Sequence, residues 1–95
     1  MSVLVLLEVN ATKPDELEAF FHDELHHTRA FEGCEGLTMH RNMDDSNNIV
    51  IVENWETREH YEKYFKWRED RGDLDKLGPM TAGPPSIRFF TIVGV

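Results

Sequence analysis

The chain has 95 residues, enough for one domain rather than two, and its 40% hydrophobic and 29% charged residues strike an ordinary globular balance. A net charge of −8 argues against nucleic acid and against anionic membrane surfaces, since both demand a basic patch. The single cysteine, Cys34, rules out an internal disulfide and suits a reducing, cytoplasmic setting.

Val3 to Val9 is a short, almost unbroken apolar run rich in β-branched residues and predicts a buried strand. It lacks a basic leading segment and meets Glu8 early, which is not the pattern of a signal peptide, and no apolar run approaches the ~20 residues of a membrane span. Thr12 is placed to cap a following helix, with Asp15 completing a loose capping box. Leu17, Phe20, Phe21, Leu25 and Thr28 recur at helical spacing and predict a helix from Pro14 to Ala30. After Gly33 and Gly36, Leu37 to Asn42 alternates as a second strand, with Leu37, Met39 and Arg41 on one side and Thr38, His40 and Asn42 on the other.

Asp44 to Asn48 is a turn by composition, and Ile49 to Trp55 a third strand, so the pair predicts a hairpin. Thr57 caps a second helix with Tyr61, Tyr64, Phe65 and Arg68 along one stripe. Gly72 ends it, Asp73 opens one more short turn, and Gly78 to Pro85 is an extended linker before a last strand, Ile87 to Val93. The order β-α-β-β-α-β predicts one α+β domain over residues 1–95: a ferredoxin-like, four-stranded antiparallel sheet with helices on one face.

Two helices cover one face of such a sheet, and a wet second face should show polar alternation. Instead Leu4, Leu6, Val50, Val52, Ile87 and Phe89 alternate with Val3, Val5, Ile49, Ile51, Phe90 and Ile92, and both sets are apolar. A bare face of that kind is seldom tolerated by a monomer, so the pattern predicts a homodimer closed through the sheet. The alternative is cover from the third short helix and the termini.

The helix-one exit Arg29-Ala30-Phe31-Glu32-Gly33-Cys34-Glu35-Gly36 and the strand-three ending Glu53-Asn54-Trp55-Glu56-Thr57, set in this element order, resemble the antibiotic biosynthesis monooxygenase family of dimeric α+β barrels. The segment from Tyr61 to Phe90 resembles a quinol-monooxygenase-like subgroup of it. The resemblance implies a pocket between sheet and helices in each subunit. It implies oxidation of a hydroquinone-like or polycyclic aromatic substrate by O2, with no metal, flavin or haem. Two other readings remain: a small-molecule-binding or stress-response barrel without turnover, and a haem-degrading enzyme. The haem branch needs an axial histidine in the helix-two region, and no histidine follows His60.

The resemblance and the pattern together nominate residues. Trp55 matches the family's tryptophan and suits a pocket wall, with plain core packing as the alternative. Tyr61 stands where oxygenase members carry a tyrosine and offers a phenol to a substrate oxygen. Asn10, at the end of strand one, is a candidate to orient a substrate oxygen, or else opens the turn to helix one. His40 is a candidate general base, histidine being suited to that work near neutral pH, with a sheet or interface position as the alternative. Phe21, Tyr64, Phe65 and Arg68 are candidates for binding the substrate, Arg68 as the electrostatic partner of a phenolate. Ile51 stands where the oxygenase members carry an asparagine. His22 and His26 have metal-ligand spacing, but a third ligand would have to come from Asp23 or Glu24, and a wet helical face is the reading preferred; no metal is expected. Arg88 lies in an apolar strand and should pair with Glu53 or Glu8 across the sheet.

Overall fold

The computed structural model describes residues 2–94. Its elements are β1 (Val3–Asn10), α1 (Pro14–Ala30), β2 (Cys34–Arg41), β3 (Asn48–Trp55), α2 (Arg58–Asp70), a short α3 (Asp73–Leu77), a 3-10 turn over Gly78–Met80, and β4 (Ser86–Thr91). The strands form one sheet in the order β2-β3-β1-β4, every neighbouring pair antiparallel. This is the expected α+β, ferredoxin-like arrangement.

Strand parity decides what the helices cover. On β3, Ile49, Ile51, Glu53 and Trp55 are buried, while Val50, Val52 and Asn54 between them are only half-buried. Val5, Leu7 and Val9 pair with Glu53, Ile51 and Ile49 on the helix side. Leu17, Leu25 and Thr28 of α1 and Tyr61, Tyr64 and Arg68 of α2 are the buried residues of their helices, and they supply the covering layer. Four aromatic rings make its densest part: Trp55 meets Tyr64 at 5.1 Å and Tyr61 at 5.7 Å between centroids, and Phe31 meets Tyr64 at 5.4 Å. Such contacts each add about 0.5–1.5 kcal/mol beyond area burial.

The open face carries Leu4, Leu6, Val50 and Val52, as their alternation required, but β4 corrects the expectation. Ile87 pairs with Leu7 and Phe89 with Val5, so both lie on the helix side; Arg88 and Phe90 share the open face with Leu6 and Leu4. The parity of an edge strand depends on where the preceding linker delivers it, and an isolated apolar run does not carry that information. Arg88 accordingly meets Glu8 at 3.6 Å, not Glu53.

Two local expectations also change. Thr12 does not cap α1; Lys13 holds the cap position without a side-chain bond, and the Thr12 hydroxyl donates to the Pro79 carbonyl at 3.1 Å. That bond and the Ala11–Thr81 bridge tie the Gly78–Pro85 segment to the end of β1, so it is not a free linker. Thr57 does cap α2, accepting from the His60 amide at 3.2 Å. Gly33 is required where it stands: its φ is +90°, and a Cβ there would lie 2.4 Å from the His60 ring.

Candidate active site

Between the sheet and the helices lies a cavity of about 380 Å3, partly open to solvent. Its floor is Leu7, Val9, Ile51 and Glu53 of the sheet. Phe20, Phe21 and Leu25 of α1 form one wall, Tyr61, Tyr64 and Phe65 of α2 another, and Leu74, Leu77 and the Gly83–Pro85 segment close the end. The lining is apolar apart from a few polar groups, the usual make-up of a small-molecule site.

The strand alternation that buries Ile51 and Trp55 also buries Glu53 between them, 3% exposed. Its Oε1 accepts from the Trp55 indole N–H at 2.8 Å. Burial pushes the carboxyl up to about 7, against the Trp55 hydrogen bond and the charge of Arg68, both of which favour the anion. Burial likewise holds the Tyr61 phenol far above its ordinary value, with Glu53 and Tyr64 pushing the same way. Tyr61 therefore keeps its proton across the neutral range, and no hydrogen bond to a described residue occupies it, so it is a donor available to a ligand.

Arg68 is buried beside the cavity with all five of its N–H groups committed. Nε donates to the Tyr64 hydroxyl at 2.9 Å; Nη1 donates to Glu24 Oε1 and Asp73 Oδ2, each at 2.8 Å; Nη2 donates to the Glu24 carbonyl at 2.9 Å and the Thr28 hydroxyl at 3.1 Å. Tyr64 Oη and Thr28 Oγ1 complete the ring at 2.7 Å. The guanidinium pins α2 to α1 and α3 and has no donor left for a phenolate.

Of the residues nominated from sequence, Phe21, Tyr61, Tyr64, Phe65 and Arg68 converge on the cavity. Trp55 does not line it; fully buried, it stands behind Glu53 and packs edge-on against Tyr61 and tilted against Tyr64. Asn10 and His40 lie elsewhere. Asn10 is exposed at the end of β1 on the open face, where it accepts from Asn48 Nδ2 at 3.1 Å. His40 pairs in register with Val50 on the same open face and hydrogen-bonds Thr38 Oγ1 at 2.8 Å. Both face away from the cavity because each occupies the wrong parity of its strand. His22 and His26 are exposed on α1, and among the described residues no three His, Cys, Asp or Glu side chains gather to hold a metal ion. Glu53 went unassigned at the site in the sequence, although a signal was there: a carboxylate two residues after Ile51 and two before Trp55 shares their buried face.

The sequence model of the antibiotic biosynthesis monooxygenase family matches residues 1–69. The chain belongs to this family. The fold is shared with solved structures of low identity. SnoaB, a cofactor-independent oxygenase from Streptomyces nogalater, superposes with a TM-score of 0.85 at 16% identity over 99% of this chain and 95% of its own. Rv0793 from Mycobacterium tuberculosis gives 0.82 at 17% identity over 100% and 98%. A Bordetella bronchiseptica protein ascribed to the same family gives 0.84 at 21% identity over 97% of both chains. No curated protein sequence matches the chain. Among the described residues no helix is long and apolar enough to cross a membrane.

Proposed function

We propose that this family member is a cofactor-independent monooxygenase that oxidises a hydroquinone-like or fused-ring phenolic substrate with O2, and that it works as a homodimer closed through the open sheet face. The observation that carries the reading is the cavity: aromatic side chains wall it, and outside the Arg68 cluster a phenol, Tyr61, and a carboxyl that burial pushes up to about 7, Glu53, line it. The family membership and the likeness to SnoaB, itself a cofactor-independent oxygenase, support it.

The volume, about 380 Å3, sits toward the small end of the ~300–1,000 Å3 of small-molecule sites, which suits two or three fused rings rather than four. A planar ring stacks between Phe21 and the Tyr61/Phe65 wall. Loss of its hydroxyl proton makes an electron-rich phenolate that reacts directly with O2. Tyr61, which stays protonated, donates to that phenolate oxygen and stabilises the charge as it develops. The apolar walls keep water from competing.

Oxygen uptake by metal-free protein tests this, with naphthohydroquinones and anthrone as probes and the no-protein rate subtracted. The expected result is protein-dependent uptake yielding one quinone and one water per O2. Rates at the no-protein level across the panel overturn the reading.

A further inference from the structure

The cavity wall carries three carboxyl groups, Glu24, Glu53 and Asp73. Arg68 holds Glu24 and Asp73, each at 2.8 Å, so a guanidinium already faces both carboxylates. Glu53 is different: its one hydrogen bond comes from the neutral Trp55 indole to Oε1, no described cation pairs with it, and Oε2 accepts nothing from a described residue. Asp73 Oδ1 is the sole fully enclosed side-chain oxygen without a partner among the described residues, so Oε2 is not sealed in. Its residue lines the cavity. We infer that Glu53 is the general base of this site, taking the substrate's hydroxyl proton on Oε2, and that Trp55 is its positioning residue. The inference rests on the oxygenase reading above and goes beyond it by naming the proton acceptor.

The step balances. The substrate O–H bond breaks, its proton goes to Oε2, and its electron pair stays on oxygen as the phenolate. The phenolate gives electrons to O2, and a C–O bond forms at an activated ring carbon. Glu53 returns its proton to the peroxide. The O–O bond then breaks, and the distal oxygen leaves as water with that proton and the ring C–H proton. One oxygen atom stays in the product as a carbonyl. Trp55 never touches the substrate: buried behind the carboxyl, its N–H occupies Oε1 and leaves Oε2 as the oxygen that reacts.

The surroundings of Glu53 suit a base working near neutrality. Tyr61, Tyr64 and Arg68 face it from α2 and Cys34 from β2. Apolar Val5 and Leu37 flank it in the sheet. Burial raises its pKa to about 7 while Trp55 and Arg68 oppose the rise. A carboxyl poised there accepts a proton from a phenol far better than an ordinary carboxylate does.

The test is the pH profile of oxygen uptake with a naphthohydroquinone, in wild type, Glu53→Gln and Trp55→Phe, with folding checked by circular dichroism. Wild-type kcat should rise with pH through about 7. Glu53→Gln should lose the limb and about 10²–10⁴-fold in kcat. Trp55→Phe removes a bond that favours the anion, so its limb should move to higher pH, which a merely structural role would not cause. Glu53→Gln with wild-type rate and profile overturns the inference and leaves the oxygenase reading standing. If wild type oxidises nothing, that reading fails, and anaerobic binding of 4-cyanophenol decides the inference, since its phenol and phenolate absorb differently. Phenolate absorbance of the bound probe that appears with rising pH in wild type and is absent in Glu53→Gln upholds it. Equal absorbance in both overturns it.

Discussion

Glu53 is costly to the fold whether or not it meets a substrate. Its carboxyl titrates at about 7 in the folded chain against an ordinary value of 4.5. Between those values the folded state binds more protons than the unfolded one, so stability falls as pH rises through that window, by about 3 kcal/mol in all. Below it the effect is absent, and above it the loss is complete. Glu53→Gln keeps the shape and the Trp55 hydrogen bond but cannot ionise. The difference in unfolding free energy between Gln variant and wild type should therefore grow in favour of the variant by about 3 kcal/mol from about pH 4 to about pH 8. Urea denaturation at the two pH values measures it; a constant difference contradicts a buried, near-neutral carboxyl. A charged group retained in an apolar strand at this expense is the pattern expected where stability is traded for chemistry.

At the scale of elements, Arg68 decides how the helices sit over the sheet. It joins α2 to Glu24 and Thr28 of α1 and to Asp73 of α3, and it does so from a buried position. Replacing it by Met leaves Glu24 and Asp73 their longer contacts to Arg71, at 3.7 and 3.8 Å, so Arg68→Met should cost about 3–5 kcal/mol in denaturant unfolding. Arg68→Lys should recover little of this, because an ammonium offers three donors where five are used. The exposed Lys66–Asp70 pair on the same helix, at 3.5 Å, is the contrast: Lys66→Gln should change stability by less than ~1 kcal/mol. If the Arg68 and Lys66 changes proved equal, Arg68 would not be the clamp.

The whole molecule leaves one sheet face to solvent, with Leu4, Leu6, Val50 and Val52 half-buried and Phe90 43% exposed. Ile92 and Val93 beyond β4 are 58% and 74% exposed. A chain this short buries only about 60–65% of its unfolded surface, so a second copy on this face would supply core that the monomer lacks. Val52 lies between Leu6 and Thr38 in the register, away from the cavity. Light scattering should give twice the chain mass for wild type, and Val52→Asp should give a monomer of lower stability. A wild-type monomer at micromolar concentration removes the dimer from the proposal and leaves the cavity argument untouched.

Element order, the buried strands and the helix bounds were legible in the sequence because each is a local, periodic signal: Val3–Asn10, Pro14–Ala30 and Asn48–Trp55 fall within a residue of their expected limits. The aromatic half of the site was legible for the same reason, since Phe21, Tyr61, Tyr64 and Phe65 lie on the apolar stripes of their helices. What local periodicity does not carry is which face a strand presents to which neighbour. That register put Ile87 and Phe89 under the helices and sent Asn10 and His40 to the open face. It also needed the folded chain to bring Glu24, Thr28, Arg68 and Asp73 together, so an arginine nominated for substrate became a clamp. The two-sided apolar sheet was determined by sequence alone. The placing of one carboxylate in its buried face, with an indole behind it and a cavity before it, was decided by tertiary structure, because burial and a single hydrogen bond, not residue type, set what a glutamate can do.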